Sequence, residues 1–281
     1  MMKQIEEKHH DTAASVFCCL YREAPPPQSF FLSNKGMFGI VALLGSVAST
    51  SLSRVLSEYL GKDTMLSLVC KSSQFGQKSD EYRKLQSEAA SHGRTITNRF
   101  LVICLDATRP WRNGLVKNDP QKRLAMDNPY LPNGDPIPGF KGYAVNMIHL
   151  NSEELDIQSN SGHGLRETLF YGVFGELQVY ETAEDLEAAL PHINGDAVSL
   201  DGVIARENGF IYSGCCTPEV HFPITVTEKQ EKALVRIEIA RGKKRKAEKE
   251  ITEGKCKMRR LVKKLKKATD KYQHLTATID S

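Results

Sequence analysis

A short glycine-containing stretch, SGHGLRET at residues 161–168, has the residue types that could hold a phosphate. Gly162 and Gly164 precede a predicted helix, and the backbone N–H groups at a helix N-terminus bind anions. A tight turn into a helix uses the same glycines, because glycine adopts positive φ without strain. The sequence contains no G-x-x-x-x-G-K-[ST] nucleotide loop. We therefore expect a turn here, with an enzyme that uses this loop to hold a phosphate as the alternative.

The spacing of the cysteine, histidine and acidic residues gives little support for a catalytic or metal site. The seven cysteines form no spaced framework, which is typical of a reduced, intracellular compartment. Cys70 and Cys104 lie in apolar segments, where cysteine behaves as a small hydrophobic residue. His9 and His10 are not at metal-ligand spacing, and Asp201 in its L-D-G segment is expected to be a turn residue. We predict no catalytic residue, no bound metal and no cofactor.

The C-terminal region is strongly basic. Residues 228–267 hold 17 Lys and Arg against 6 Asp and Glu, whereas the remainder of the chain is net acidic. Such an arm has three compatible interpretations: a solvated face of a coiled coil, a nuclear localisation signal, or a surface that contacts the phosphates of DNA or RNA regardless of sequence. The predicted basic patch comprises Lys243, Lys244, Arg245, Lys246, Arg259, Arg260, Lys263 and Lys264.

The same region has a heptad repeat. Apolar residues recur at steps of four and three from Ala233 to Leu275, with Lys244 and Gly254 as misfits. An apolar seam with this spacing needs a partner helix to bury it, so we predict a coiled coil over residues 228–281. A solvated charged helix is the alternative.

The body of the chain alternates predicted helices and strands. Residues 1–23 are helix-like, and the segment APPPQ that follows breaks any helix because proline lacks a backbone N–H. Residues 106–141 hold six of the twelve prolines and predict a long ordered loop. The alternation favours an α/β or α+β fold. Apolar spacing predicts further helices over 52–60, 80–93, 165–174 and 183–190, and strands over 65–70, 100–105, 143–148, 177–180 and 197–200, with two short strands around Ile204 and Ile211.

The segment GVIARENGFIYSG, residues 202–214, contains three glycines, Gly202, Gly209 and Gly214. Their intervals are compatible with a phosphate cradle, a turn–strand–turn ribbon or a contact between subunits. A phosphate cradle is disfavoured, because no lysine follows these glycines. Since glycine also lets another backbone approach closely, we predict a ribbon that contacts a second subunit.

Two motifs resemble the flexible hinge domain of structural maintenance of chromosomes (SMC) proteins. GMFGIVALLGSV, followed by LSRVLSEYLGKDTMLSLVC, is similar to the first half of that hinge, with glycines at positions 36, 39, 45 and 61. GELQVYETAEDLEAALPHINGDAVSLDGVIARENGFIYSG is similar to the second half. There Gly202, Gly209 and Gly214 fall on the glycine run of the hinge, and Ser213 replaces a glycine. The two matches span about residues 29–225, and the sequence between them resembles plant hinge-only relatives.

The resemblance carries expectations for fold and partners. It implies an α/β (α+β) SMC hinge domain of two similar subdomains over residues 29–227, preceded by a short N-terminal helix and proline linker at 1–28. A long basic coiled-coil helix follows at 228–281. Hinges dimerise by joining sheets and helices of two chains, so the expected partner is a second copy or a related hinge protein, with a further partner for the coiled coil. The interface is expected at Gly36, Gly39, Gly45, Gly202, Gly209, Ser213 and Gly214.

The implied function is non-enzymatic chromosome organisation in the nucleus. The plant relatives that the sequence resembles include a DNA-repair protein, so the expected role is DNA double-strand-break repair by homologous recombination. A scaffold of an RNA-directed DNA methylation complex and a sequence-independent nucleic-acid binder are the alternatives. No membrane association is expected, because the longest apolar stretch, within residues 36–48, is too short to span a bilayer. We expect either a naturally short hinge protein or a part of a longer one.

Overall fold

A computed structural model describes residues 1–23, 36–72, 80–97, 99–214 and 216–225, together with Met258. The chain divides into one unit of Met1–Thr225 and a second unit of Val226–Ser281. The predicted basic patch and coiled coil fall in the second unit, outside the described residues. The predicted boundaries at 28/29 and 227/228 also lie outside them, so these boundaries stay predictions.

Two helices begin the chain, α1 (Met2–Lys8) and α2 (Ala13–Glu23). The carboxylate of Glu6 is buried between them, and Arg22 Nη2 donates a 2.8 Å hydrogen bond to its Oε2. Arg94, which follows a later helix, lies 3.6 Å from the same oxygen. A buried charge is costly unless it is paired, so these two guanidinium groups hold the helices together and against the rest of the unit.

The first sheet contains three short strands. Its elements are β1 (Met37–Ile40), a 3₁₀ turn (Val41–Leu43), α3 (Thr50–Met65), β2 (Leu68–Cys70), α4 (Asp80–Ser91), β3 (Val102–Cys104) and a second 3₁₀ turn (Leu105–Ala107). The strand order is β1-β2-β3, with β1 antiparallel to β2 and β2 parallel to β3. Parallel neighbours need a long crossover connection, and α4 lies in the one between β2 and β3.

The second sheet contains five strands in sequential order. Its elements are β4 (Phe140–Tyr143), α5 (Ala144–Met147), α6 (Ser152–Asp156), a π-helical turn (Arg166–Phe170) that continues into α7 (Tyr171–Phe174), β5 (Gln178–Tyr180), α8 (Ala183–Ala189), a 3₁₀ turn (Leu190–His192), β6 (Ala197–Ser199), β7 (Ile204–Ala205) and β8 (Ile211–Tyr212). β4 is antiparallel to β5, β5 is parallel to β6, and the last three strands are antiparallel.

The two sheets repeat one local design, a G-x-x-G segment at the first strand of each. Gly36 and Gly139 have φ values of +62° and +69°, a region that favours glycine. The carbonyl oxygen of each accepts a hydrogen bond from the residue that follows the neighbouring strand. The second glycines, Gly39 and Gly142, lie where the register with that strand shifts at a β-bulge. The predicted arrangement of two similar subdomains in a mixed α/β fold is therefore confirmed.

The two subdomains share one apolar core. Gly45 lies at their junction, where an added Cβ would be 2.5 Å from Cγ2 of Ile148 and 3.0 Å from Cζ of Phe170. Ser46 and His149 exchange two backbone hydrogen bonds of 2.9 and 2.7 Å beside it. A side chain at position 45 would separate the subdomains, which explains the glycine without reference to a second chain.

The proline-rich segment between the sheets is a long ordered loop, as predicted. Trp111 is buried in it, packs edge-to-face on Tyr171 with ring centroids 5.1 Å apart, and donates from Nε1 to the Gly114 carbonyl at 2.8 Å. The backbone N–H of Leu124 donates to Asn146 Oδ1 at 2.8 Å. These contacts fix the loop against the second subdomain.

The strand predicted over 143–148 is wrong. β4 ends at Tyr143, and Ala144–Met147 forms helix α5, in which Ala144 and Val145 are buried. The spacing misleads because a short apolar run is compatible with a strand and with a buried helical turn. The other predicted strands are confirmed in shorter form. The helix predicted over 52–60 continues past Gly61, where α3 has a kink with φ of +74°. Strand β1 was not predicted at all.

Candidate functional site

An exposed apolar edge lies at the end of the second sheet. β7 and β8 form a hairpin, and β8 is the last strand of the sheet. Three successive side chains on and next to β8 are largely exposed: Phe210 at 62%, Ile211 at 55% and Tyr212 at 55%. We call Phe210, Ile211 and Tyr212 the β8 edge. Exposed apolar residues on an unpaired edge strand favour pairing with another strand.

A tight turn sets the geometry of this hairpin. Arg206 N donates to Phe210 O at 2.8 Å, and Gly209 N donates to Arg206 O at 2.9 Å. Gly209 has φ of +83°, the left-handed position that a three-residue hairpin loop requires. Asn208 Oδ1 accepts from Phe210 N at 3.2 Å. The sequence R-E-N-G therefore forms the turn that presents the β8 edge.

The two ends of the hairpin contact each other within the same chain. Gly202 is buried with φ of +119°, and an added Cβ would lie 3.2 Å from the carbonyl oxygen of Gly214. The backbone that approaches Gly202 closely is thus that of Gly214 in the same chain, whereas the sequence suggested a second subunit. Asp201, next to it, accepts hydrogen bonds from Ala183 N at 2.9 Å and from the Ser199 hydroxyl. These bonds anchor the hairpin to helix α8.

A polar cluster of Tyr59, Asp196 and Arg206 attaches the hairpin to the first subdomain. We call these three residues the clamp. Asp196 Oδ2 accepts from the Tyr59 hydroxyl at 2.7 Å and from Arg206 Nη1 at 3.0 Å. Asp196 Oδ1 accepts from Glu207 N at 2.7 Å. Arg206 Nη2 donates to Tyr59 O at 2.7 Å, and its guanidinium carbon lies 3.8 Å from the Tyr59 ring centroid, a cation–π distance.

The electrostatics of the clamp favour a charged carboxylate. Partial burial alone would raise the pKa of Asp196. The hydrogen bonds from Glu207 N, Tyr59 and Arg206, together with the Arg206 charge, outweigh that effect, so the Asp196 pKa lies below its ordinary value. Burial, with the hydrogen bond to Asp196, raises the pKa of Tyr59. Asp196 is therefore the acceptor at neutral pH, and Tyr59 and Arg206 are the donors.

The seven residues of the predicted interface fall into two groups. Gly209, Ser213 and Gly214 are exposed around β8, and Gly36 is half-buried. Gly39, Gly45 and Gly202 are buried, and their glycine identity follows from backbone conformation or packing inside the chain. The interface assignment itself stays a prediction for all seven.

The loop considered for phosphate binding is filled by a carboxylate of the chain itself. Glu167 Oε2 accepts from Gly164 N at 2.8 Å, and Glu167 Oε1 lies 3.0 Å from His163 Nδ1. A negative charge at this position repels an anion, so the geometry favours the turn into a helix. Arg166 beside it points the other way and is 2% exposed.

Arg166 holds the proline-rich loop to the second subdomain. Its guanidinium donates to the carbonyl oxygens of Gln121 at 3.1 Å, Ile148 at 2.8 Å and Val145. Burial lowers the pKa of Arg166 to about 10, so the group is still charged at neutral pH. A buried charge satisfied by three carbonyl groups has a structural role here.

The described residues contain no group of three or more His, Cys, Asp or Glu side chains arranged to hold a metal ion. Their helices include none with the length and apolar character needed to cross a bilayer.

Sequence reasoning identified the hairpin but missed the clamp. The N-G turn followed by three apolar residues is a local signal that predicts a hairpin with an apolar strand. Tyr59 and Asp196 are 137 residues apart, and no local pattern connects them. The tyrosine lies in a predicted helix and the aspartate in a predicted loop, so neither position attracts notice alone.

Comparison with known proteins gives a sequence match over the whole chain. The chain is 87% identical over its whole length to the structural maintenance of chromosomes flexible hinge domain-containing protein GMI1 of Arabidopsis thaliana. It spans only 18% of the length of that protein. No protein-family model matches the chain.

Solved SMC hinge structures are similar at a lower level. The hinge of the Geobacillus stearothermophilus SMC protein, an asymmetric dimer, is 16% identical with a TM-score of 0.44, covering 78% of this chain and 73% of that one. The Pyrococcus furiosus Smc hinge with an extended coiled coil is 16% identical with a TM-score of 0.42, covering 86% and 70%. The S. pombe Smc5/6 hinge is 10% identical with a TM-score of 0.41, covering 79% and 73%. On the 87% identity, the chain is similar over its whole length to part of a structural maintenance of chromosomes flexible hinge domain-containing protein.

Proposed function

We propose that this chain is a non-enzymatic dimerisation module of the SMC hinge type, and that the β8 edge carries the contact. The observation that supports this most directly is the run of three largely exposed apolar side chains, Phe210 to Tyr212, on and next to the last strand of the sheet. An unpaired edge offers backbone N–H and C=O groups to a partner strand, and apolar side chains on it become buried when that strand pairs.

The clamp supports the same proposal. A β-hairpin by itself is marginally stable in water, and an edge that moves loses conformational entropy when it binds. The bonds among Tyr59, Asp196 and Arg206 hold the hairpin before any partner arrives. Such preorganisation lowers the entropic cost of pairing, as expected of a surface that serves as an interface.

The test compares two tyrosine variants of similar exposure. Tyr212→Ser shortens a side chain of the β8 edge that is 55% exposed, and Tyr130→Ser shortens one of the proline-rich loop that is 58% exposed. We expect the wild-type chain to dimerise in light scattering across a dilution series, with the dissociation constant raised about tenfold or more by Tyr212→Ser and unchanged by Tyr130→Ser.

Two outcomes would count against the proposal. A wild-type chain that is monomeric at the highest concentration would remove its basis. Equal effects of the two variants would show that the contact lies elsewhere on the surface. Circular dichroism of each variant serves as a folding control.

We further propose that the module works in chromosome organisation in the nucleus, in DNA double-strand-break repair by homologous recombination. The support is the resemblance to plant hinge proteins noted from the sequence. A scaffold for RNA-directed DNA methylation is the alternative. Co-purification from plant nuclei separates the two, because recombination and damage-response factors would accompany the first and silencing-polymerase factors the second.

A second candidate function is sequence-independent nucleic-acid binding by the basic arm. The excess of Lys and Arg in residues 228–267 favours it. Contacts to phosphates release counterions, so the affinity should fall steeply with salt and be lost when residues 228–281 are deleted. Salt-insensitive binding that survives the deletion would contradict this candidate.

A further inference from the structure

Two cysteines lie side by side at the ends of neighbouring strands. β2 and β3 are parallel, and their last residues, Cys70 and Cys104, are direct partners in the register. The two Sγ atoms are 3.5 Å apart. Adjacent strands are spaced about 4.8 Å apart, within the Cα separations that a disulfide bridges. A small rotation of the side chains would therefore bring the sulfur atoms to bonding distance without moving the strands far.

The two thiols differ in access to solvent. Cys70 is 1% exposed, and burial, together with the neighbouring Cys104, raises the pKa of its thiol. Cys104 is half-buried and lies on an edge strand of the first sheet. A small oxidant therefore reaches Cys104 first, and Cys70 is positioned to react with the product. This division into an accessible and a resolving cysteine is the arrangement that redox-sensing thiols use.

We propose that Cys70 and Cys104 form an intramolecular disulfide when the protein meets a peroxide. In the first step the Cys104 sulfur attacks hydrogen peroxide, the O–O bond breaks, and a sulfenic acid and one water form. In the second step the Cys70 sulfur attacks the Cys104 sulfur, the S–O bond breaks, and the hydroxyl leaves as water with the thiol proton. The two thiols together lose two electrons and two protons, and the peroxide is reduced to two waters.

The disulfide would fasten a strand that has one strand neighbour within its sheet. β3 pairs with β2 alone among the described strands. Directly after β3, Asp106 N donates to Lys71 O at 3.0 Å, and the Asp106 carboxylate accepts from Asn160 N at 2.7 Å and Asn160 Nδ2 at 2.6 Å. The Cys70–Cys104 pair thus lies next to a contact between the two subdomains. A covalent bond here restricts the unfolded chain and holds that contact in place.

The other described cysteines have different surroundings. Cys18 and Cys19 are adjacent residues buried in helix α2, and the Cys19 thiol is directed to Glu23 Oε1 at 3.4 Å. Cys216 is exposed. Cys216 supplies a matched control, because its loss removes an oxidisable thiol and leaves the Cys70–Cys104 pair intact.

The test uses the full chain, first reduced and then treated with hydrogen peroxide in small molar excess. Remaining thiols are alkylated, and peptide mass spectrometry identifies the products. We expect a crosslinked pair of peptides that contain Cys70 and Cys104, lighter by two hydrogen atoms than the free peptides together. The melting temperature of the oxidised chain should rise by several degrees and return to its original value after dithiothreitol. Cys216→Ser should give the same crosslink, and Cys104→Ser should abolish it.

Three results would overturn the proposal. One is a chain in which both cysteines remain alkylatable after peroxide treatment. Another is Cys104 that proceeds to the sulfinic acid without crosslinking. The third is a crosslink that joins Cys104 to Cys216 instead. The wild-type peptide map decides among them even if a serine variant folds poorly.

Discussion

The hydroxyl of Tyr59 donates a 2.7 Å hydrogen bond to Asp196 across 137 residues of sequence. The bond joins helix α3 of the first subdomain to the segment that precedes β6 in the second. Arg206 of the β7–β8 hairpin binds the same carboxylate at 3.0 Å. One aspartate therefore connects both subdomains and the hairpin that carries the β8 edge.

Asp196→Asn should lower both stability and dimer affinity. The amide keeps the shape but loses the charge that faces Arg206 and one of the acceptor positions. We expect a loss of about 1–3 kcal/mol in the free energy of unfolding, measured with urea. The exposed Asp127 provides a control, and Asp127→Asn should change stability by less than about 0.5 kcal/mol. Equal effects of the two changes would show that the clamp contributes nothing specific.

The clamp should also show in the acid dependence of stability. Since the Asp196 pKa is lowered on folding, the unfolded chain binds the proton more readily. The stabilisation is therefore complete above the unfolded pKa of about 3.9 and is lost as the pH falls below it toward the folded pKa. Urea titrations in this pH range should show that the free energy of unfolding depends less on pH in Asp196→Asn than in the wild type. Parallel profiles would contradict the assignment.

His9 should produce a second pH effect, nearer neutrality. The ring is 4% exposed, its Nε2 has no hydrogen-bond partner, and Glu219 Oε2 lies 3.8 Å away. Burial, followed by the charge of Lys62, lowers the His9 pKa, although Glu219 and Asp11 oppose this and Lys8 adds to it. The unfolded chain thus takes up the proton first, so stability should be complete above about pH 6.5 and fall as the pH drops below it.

His9→Gln tests that effect against a neighbouring control. The variant should remove the loss of unfolding free energy on acidification from about pH 7.5 to 5.5. His10 is exposed, so His10→Gln should retain it. A wild-type free energy of unfolding that stays constant over the same pH interval would contradict the prediction.

Gly45→Ala should destabilise the junction of the subdomains. Its new Cβ would lie 2.5 Å from Ile148 Cγ2 and 3.0 Å from Phe170 Cζ, so the core must shift at a cost of about 1–3 kcal/mol. Gly172→Ala is the matched control, because that helical position leaves 3.9 Å to the nearest atom, Cγ2 of Thr108. The control should be neutral or stabilising by up to about 1 kcal/mol. Thermal denaturation of both variants would decide, and equal melting temperatures would refute the packing argument.

Arg166→Met should release the proline-rich loop. The change leaves the carbonyl groups of Gln121, Val145 and Ile148 without their charged donor, and hydrogen bonds to charged groups contribute about 1.5–3 kcal/mol each. Arg166→Lys should rescue little, because an ammonium group lacks the planar fork that reaches several carbonyls. Arg123→Met, at a side chain that is half exposed and 3.6 Å from Asp119, should cost less than about 1 kcal/mol. Limited proteolysis within residues 108–139 would report the release, and full rescue by lysine would contradict this account.

Ser213→Gly should tighten the proposed dimer. Ser213 is exposed directly after β8, and a glycine there lets a partner backbone approach more closely. Light scattering should give a smaller dissociation constant for the variant. Ser161→Gly, in the loop filled by Glu167, is a control that should leave it unchanged. An unchanged constant for Ser213→Gly would show that position 213 lies outside the interface.

Local signals predicted much of the fold. Thr182, for example, caps helix α8 by accepting from Asp185 N at 3.1 Å, and a threonine three residues before an aspartate is a local signal for a helix start. The hairpin turn at Asn208-Gly209 could also be predicted from the sequence, because a turn depends on about four consecutive residues. The clamp, the Gly45 junction and the Cys70–Cys104 pair could not be predicted from the sequence. Each depends on which distant segments meet, and apolar spacing shows that a residue is buried but not what it is buried against.

The duplication of the two sheets is unequal, and this bears on how many partners the proposed contact allows. Both halves begin with the G-x-x-G bulge and pair three strands in the same way, but the second half adds the β7–β8 hairpin. A chain with two equivalent adhesive edges could link end to end without limit, as fibres do. Among the described residues this hairpin occurs once per chain, so two molecules that pair through the β8 edge, as proposed, leave no second edge of this kind free.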